Sequence, residues 1–372
     1  MRRFAPARPL RSTDRPLRFI ALTAAALLVV PLVACSSPGS TAQAASSAGT
    51  AAGPEETVTF GTGTITLNLA VPFTAMGLGL FAKNNLNAQF VTGPTAAPLL
   101  AEGTADMIFD RAADVPLLTS EGKPTKAIAA DTEDTHAGLV ATKSVTSIAQ
   151  LRAMGTNCTI ASEGSGVFEA FQAYWISKYN LHCKIATLSS YSLAPGGLVS
   201  GQYTAAVELA SNVSSLVASG SLDWLINPLS PNYVKGGYGL PYPFVNNAVM
   251  ASSAYISHNK QTITRFFEVL KETEARMKKM TNTQIAQAIH DSGVTYYSSQ
   301  SVQAIEEQLT GDGAAPNIFA LNNLDLSTIS SGVWADTMKS LVAQGVDVNP
   351  NDKRWDYAAG VDNTMAQQVF GS

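Results

Sequence analysis

Charged and hydroxyl-bearing residues recur at the ends of strand-like runs, where an open sheet presents side chains to a bound molecule. Asp110 and Arg111 follow the run 105–109. A guanidinium there could grip a carboxylate or sulfonate through two N–H bonds, and the neighbouring carboxylate an ammonium. The two could equally pair with each other or face solvent. Glu163, Gly164, Ser165 and Gly166 follow the run 157–161 and open a long helical pattern. Unpaired backbone N–H groups and the helix dipole suit an anion at that point, and Ser165 also reads as an ordinary N-cap. Phe73 and Thr74 stand at a helix start, as an apolar wall and a donor, or as core. Tyr191 with Ser192, Glu208 with Asn212, and Asn246 with Asn247 mark further strand ends. Each could hydrogen-bond an enclosed solute, and each is also a turn residue type.

Catalytic patterns are weaker. The four histidines, His136, His182, His258 and His290, are scattered. There is no Gly-x-Ser-x-Gly elbow, phosphate loop or dinucleotide fingerprint. Ser257-His-Asn-Lys260 matches Ser-x-x-Lys without a Lys-Thr-Gly partner, and Ser257 reads more simply as a helix cap. No enzyme activity, cofactor or metal is expected; a secreted hydrolase is the competing reading.

The elements that must position these residues alternate. Apolar alternation at 65–71 predicts a strand, and Pro72 suits the helix start that follows. Strands are expected at 87–91, 105–109, 126–130 and 138–142, with short helices between. A second block repeats the pattern, with strands at 157–161, 183–188, 204–209 and 223–227 and an amphipathic helix over 167–179. Residues 227–243, dense in Pro, Gly and Tyr, read as loop. After a strand at 248–256 the chain is mostly helical. Such alternation predicts an α/β fold of parallel sheets with crossover helices, and the length predicts about two domains.

Residues 1–34 read as a leader. Six arginines precede the apolar run 19–33, which is too short to span a bilayer comfortably. Leu32-Val-Ala-Cys35 resembles a bacterial lipobox, which implies cleavage before Cys35 and lipidation of its sulfur. Residues 35–56, rich in Ser, Ala and Gly, read as a tether with a root-mean-square span of about 25 Å. An extracytoplasmic, lipid-anchored monomer is therefore expected. The formal net charge of −4 becomes −9 when residues 1–34, with six arginines and Asp14, are removed. An acidic chain with few charges offers no electrostatic case for nucleic acid. In an oxidising compartment Cys158 and Cys183 are disulfide candidates, since each lies near the start of a strand-like run. Neighbouring parallel strands would bring them within bridging distance, and two buried thiols are the alternative.

The stretch 70–91, AVPFTAMGLGLFAKNNLNAQFV, resembles the opening of solute-binding proteins of the nitrate/sulfonate/taurine type, which have a type II periplasmic-binding-protein-like fold. Ala101-Glu-Gly-Thr-Ala-Asp106 resembles their step into the third strand. Gly138-Leu-Val-Ala-Thr-Lys-Ser144 with Ile148-Ala-Gln-Leu151 resembles their step into the second domain. Asn85 and Asn87 depart from the family pattern. The resemblance spans 57–372 and implies two lobes on a two-crossing hinge. One would comprise 57–143 and 245–372, the other 144–244, with crossings near 141–144 and 238–247. It further implies a small-molecule solute in the cleft and an ABC permease as membrane partner. Arg111 and the glycine-rich helix start favour a small organic anion; Phe73, Tyr191 and Trp224 favour a planar heterocycle.

Overall fold

Period-two alternation sorts the strand side chains onto two buried faces. In the computed structural model the described residues are 54–371, apart from 64, 66, 134–136, 164–166, 229, 231, 234, 242–243, 311–325 and 344–351. The leader, Cys35 and nearly all of the expected tether lie outside the described residues. Ten strands are present there: β1 (Glu56–Thr62), β2 (Leu86–Thr92), β3 (Met107–Arg111), β4 (Thr125–Glu133), β5 (Gly138–Thr142), β6 (Thr159–Glu163), β7 (Lys184–Leu188), β8 (Ala205–Glu208), β9 (Leu222–Ile226) and β10 (Val245–Ser252). They form two five-stranded sheets, ordered β2-β1-β3-β10-β4 and β7-β6-β8-β5-β9.

Helices cover both faces of each sheet. Met107, Phe109, Val249 and Ala251 enter one apolar cluster, and their strand neighbours Ile108, Ala248 and Met250 enter another. Leu139, Ile160 and Val207 face one side of the second sheet; Val140, Ala161 and Ala206 face the other. Burial on both faces explains why these strands read as continuous apolar runs. In the first core Phe60 meets Phe90 at 5.5 Å and Phe266 at 5.7 Å, and Phe81 stacks on Phe266 at 5.3 Å. Phe266 belongs to the helix Lys260–Met277, the longest of the helical C-terminal region.

The sheets are mixed rather than parallel. β1 runs parallel to β2 and β3, while β10 is antiparallel to β3 and β4. β6 runs parallel to β7 and β8, while β5 is antiparallel to β8 and β9. The reversed strand in each sheet is the one that arrives from the other sheet. β5, expected with the first lobe, is thus a member of the second sheet, so the first crossing falls between β4 and β5. A five-residue apolar run buried on both faces reads alike in either sheet; only its partner strands decide. The second crossing, 227–244, contains the predicted loop. Tyr233 in that crossing donates its hydroxyl to the Ala137 carbonyl at 2.7 Å and ties the two crossings together.

Two local expectations fail. The alternation at 65–71 is not a strand: a short 3-10 turn, Leu67–Leu69, leads into the helix Ala70–Gly77. Pro72 sits in that helix's first turn, where its missing N–H is harmless. The first strand is instead β1, which begins inside the expected tether. Glu56 at its start is held by Arg265 at 2.6 Å and by the Thr262 hydroxyl. Ser257 caps no helix; it lies in the helix Ser253–His258 and donates to the Ala254 carbonyl. Asn85, one of the departures from the family pattern, adopts φ 54° before β2, a left-handed conformation that Asn tolerates. No helix among the described residues is long and apolar enough to cross a membrane.

Cys158 and Cys183 form a disulfide with Cα atoms 4.6 Å apart. Each stands one residue before a pair in the β6–β7 register, Thr159 opposite Lys184, so the parallel pairing itself presents them to each other. Replacing both by serine is expected to lower the unfolding free energy by about 3.5 kcal/mol, the chain-entropy value for a loop of this length. Urea unfolding midpoints of the oxidised protein and the double variant measure this; coincident curves would contradict it.

Candidate functional site

The carboxyl ends of β3, β6 and β8 gather most of the predicted polar residues. β3 ends in Asp110 and Arg111, and β10 lies beside it with Asn247 opposite Arg111. The Asn246 carbonyl accepts from the Ala112 N–H at 3.1 Å, so its backbone closes the turn that leaves β3. The Asp110 carboxylate accepts the Arg111 backbone N–H at 2.8 Å. The Arg111 guanidinium donates to Asp114 Oδ1 at 3.1 Å; its side chain is 53% exposed and that of Asp114 only 6%. Asp114 opens the helix Asp114–Ser120. Burial raises its carboxyl to about 6 against the opposing pull of Arg111, with Asp110 adding to the rise.

The second sheet contributes the other half. β6 and β8 pair in register as Ile160 with Ala205 and Ala161 with Ala206. The same offset carried two residues on sets Glu163 level with Glu208. Glu208 is fully buried. Its Oε2 accepts from Asn212 Nδ2 at 2.9 Å, Asn212 lying in the first turn of the helix Ala210–Ala218. Its Oε1 has no hydrogen-bond partner among the described residues. Burial pushes the carboxyl up to about 8, Asn212 and the Leu209 backbone N–H pull it back, and the negative charge of Glu163 adds to the rise. Glu163, half-buried, is itself raised by burial and lowered by the Arg111 charge. That interaction joins the two sheets: a cation at the end of β3 acts on an anion at the end of β6.

A third strand closes this corner. Gly138 of β5 pairs with Glu208. A Cβ there would lie 2.3 Å from the Trp224 ring and 2.7 Å from Pro228, so only glycine fits. Residues directly opposite in an antiparallel pair point to one face. The Trp224 ring therefore lies on the face that bears the Glu208 side chain. Its Nε1 is buried and has no hydrogen-bond partner among the described residues.

The structure thus brings together Asp110, Arg111, Glu163, Glu208 and Asn212, with Asn246 at the edge. Phe73 is not a cleft wall: it is fully buried and meets Phe90 edge-on at 4.9 Å and Tyr297 at 5.5 Å. Thr74 beside it is fully buried, and its hydroxyl has no partner among the described residues. Ser192 sits on an exposed turn and bonds Ser190, hydroxyl to hydroxyl, at 2.8 Å. The Tyr191 side chain and Gly164, Ser165 and Gly166 lie outside the described residues. Asp114 was not anticipated, although its place three residues after Arg111 in a helix's first turn was readable. Arg111 is not waiting for an anion alone, since carboxylates surround it. No group of three or more His, Cys, Asp or Glu among the described residues is arranged to hold a metal ion.

Glu208 makes stability depend on pH. Its carboxyl keeps a proton up to about pH 8 when folded but loses it near 4.5 when unfolded. Its contribution is full below about pH 4.5 and is lost as pH rises through 8. Glu208→Gln, which keeps the acceptor for Asn212, should match the native protein at pH 4.5 and exceed it in urea midpoint at pH 8. Parallel pH profiles for the two proteins would refute this.

No protein-family model and no curated protein matches the sequence. Solved structures do resemble the chain. The ligand-binding component of an ABC-type import system from Staphylococcus aureus, solved with zinc bound, superposes with a TM-score of 0.62 at 13% identity, covering 85% of this chain and 100% of that one. The periplasmic nitrate-binding protein of Synechocystis PCC 6803 gives 0.59 at 10% identity, covering 85% and 88%. The periplasmic aliphatic sulphonate-binding protein of Escherichia coli gives 0.56 at 13% identity, covering 78% and 86%. The chain has the two-sheet α/β fold of these periplasmic solute-binding proteins.

Proposed function

We propose that this protein is the extracytoplasmic solute-binding component of an ABC importer. The observation that carries the reading is the gathering of Asp110 and Arg111 at the end of β3 with Glu163 and Glu208 at the ends of β6 and β8, the carboxyl ends where open sheets bind ligands. The proposal divides the chain into two lobes, one per sheet, hinged at 134–137 and 227–244. Solute is captured between them without turnover, the lobes close, and the closed form docks on a membrane permease. The expected leader and the lipid on Cys35 would keep the monomer at the outer face of the membrane, where a disulfide persists.

The solute is a small organic molecule. Arg111, the cation of the cluster and half-exposed, favours an acidic group on it. The carboxyls of Asp110, Asp114, Glu163 and Glu208 favour a donor group on the same molecule and disfavour a bare anion such as nitrate. The heterocycle reading keeps one supporting feature, the Trp224 ring on the sheet face that bears Glu208.

Two measurements test the proposal. Small-angle scattering should show a smaller radius of gyration when a binding solute saturates the protein; an unchanged radius at saturation would refute closure. Arg111→Ala should weaken an acid-bearing solute at least tenfold, from loss of a charged hydrogen-bonding partner, and should also lower the urea midpoint, because buried Asp114 loses its counter-charge. Undiminished affinity would remove Arg111 from the site.

A further inference from the structure

Glu208 is held as though for a partner that the chain does not supply. It is fully buried, Asn212 engages one carboxyl oxygen, and the other meets nothing among the described residues. Buried polar atoms are almost always hydrogen-bonded, so an orphaned carboxyl oxygen calls for a partner or a functional role. Among the elements packed on β8, the helix Val167–Lys178 carries Glu169 and Lys178, and Lys178 bonds the Gly237 carbonyl; β5, β6 and the helix Ala194–Val199 bring no basic residue. β6 brings Glu163, β5 brings Gly138, and β9 brings Trp224, with Asp223 opposite Ala141 further along. The helix Ala210–Ala218 carries no charge, and the helix Val302–Thr310 packed against it carries Glu306 and Glu307. The cation near this end, Arg111, is already bonded to Asp114. The Trp224 ring shares the face of Glu208, and an aromatic face attracts cations.

Resting on the solute-capture reading, we infer that the solute carries a protonated nitrogen that docks on Glu208 Oε1, and that the Glu208 carboxyl gives up its proton to solvent as the solute binds. No covalent bond forms: a carboxylic acid and an ammonium become a carboxylate–ammonium pair, and one proton passes to buffer. Before binding, burial and Glu163 favour the neutral acid; the incoming ammonium reverses that preference. The unpartnered Trp224 N–H is left to donate to an acceptor elsewhere on the same solute.

The test uses matched solutes that differ in one nitrogen: taurine with ethanesulfonate, γ-aminobutyrate with butyrate, and putrescine with butanediol. Thermal shifts should appear for nitrogen-bearing members and not for their counterparts. Calorimetry of a binding member, in two buffers of different ionisation heat, should report proton release at pH 7 that is smaller at pH 9. Glu208→Gln should release none and bind at least tenfold more weakly; the proton count on the native protein stands without the variant. Equal binding of the nitrogen-free members, or binding without proton release at pH 7, would overturn the inference while leaving solute capture intact. No shift with any of the six would overturn both.

Discussion

A carboxyl group taken out of water without a counter-charge dominates this molecule's chemistry. Leaving a buried ion unpaired costs several kcal/mol, and the ends of β3, β6 and β8 hold four carboxyls against one guanidinium. Register enforces the crowding: the pairing that aligns Ile160 with Ala205 also aligns Glu163 with Glu208. Two responses are visible. Arg111 bonds Asp114 and its charge lowers the Glu163 carboxyl against burial, and burial pushes the Glu208 carboxyl up to about 8. The polar end of the second sheet is therefore poised rather than settled, as expected where a fold trades stability for binding.

The path of the chain explains how one guanidinium can serve both sheets. Each sheet contains a reversed strand delivered from the other, β10 in the first and β5 in the second. Tyr233, between β9 and β10, donates its hydroxyl to the Ala137 carbonyl just before β5. Under the proposed two-lobe reading, this pair of connections is where the lobes would rotate. It also sets β10 beside β3, so that Arg111 leaves its strand at the seam.

Much of this was legible in the residues. The α/β alternation, the disulfide and the Asp110–Arg111, Glu163 and Glu208–Asn212 positions follow from strand ends and spacing. What escaped was tertiary. The run 138–142 is equally apolar toward either sheet, so its membership was unreadable. The run 65–71 alternates like a strand, yet the helix Ala70–Gly77 buries Phe73 against Phe90 and Tyr297, and packing overrode the pattern. Phe73 had looked like a cleft wall for the same reason: an aromatic beside a strand end serves core and pocket alike. Gly138 carried no local signal at all, because its role is defined by the Trp224 ring that fills the space of a missing side chain.

The bridge between Cys158 and Cys183 has a consequence of another kind. β7 is the outermost strand of its sheet, and Ile185 on it is 62% exposed. A border strand with an apolar side chain in water invites a foreign chain to zip alongside it. Stapled where β6 and β7 begin, this border cannot peel away from its neighbour as a free ribbon.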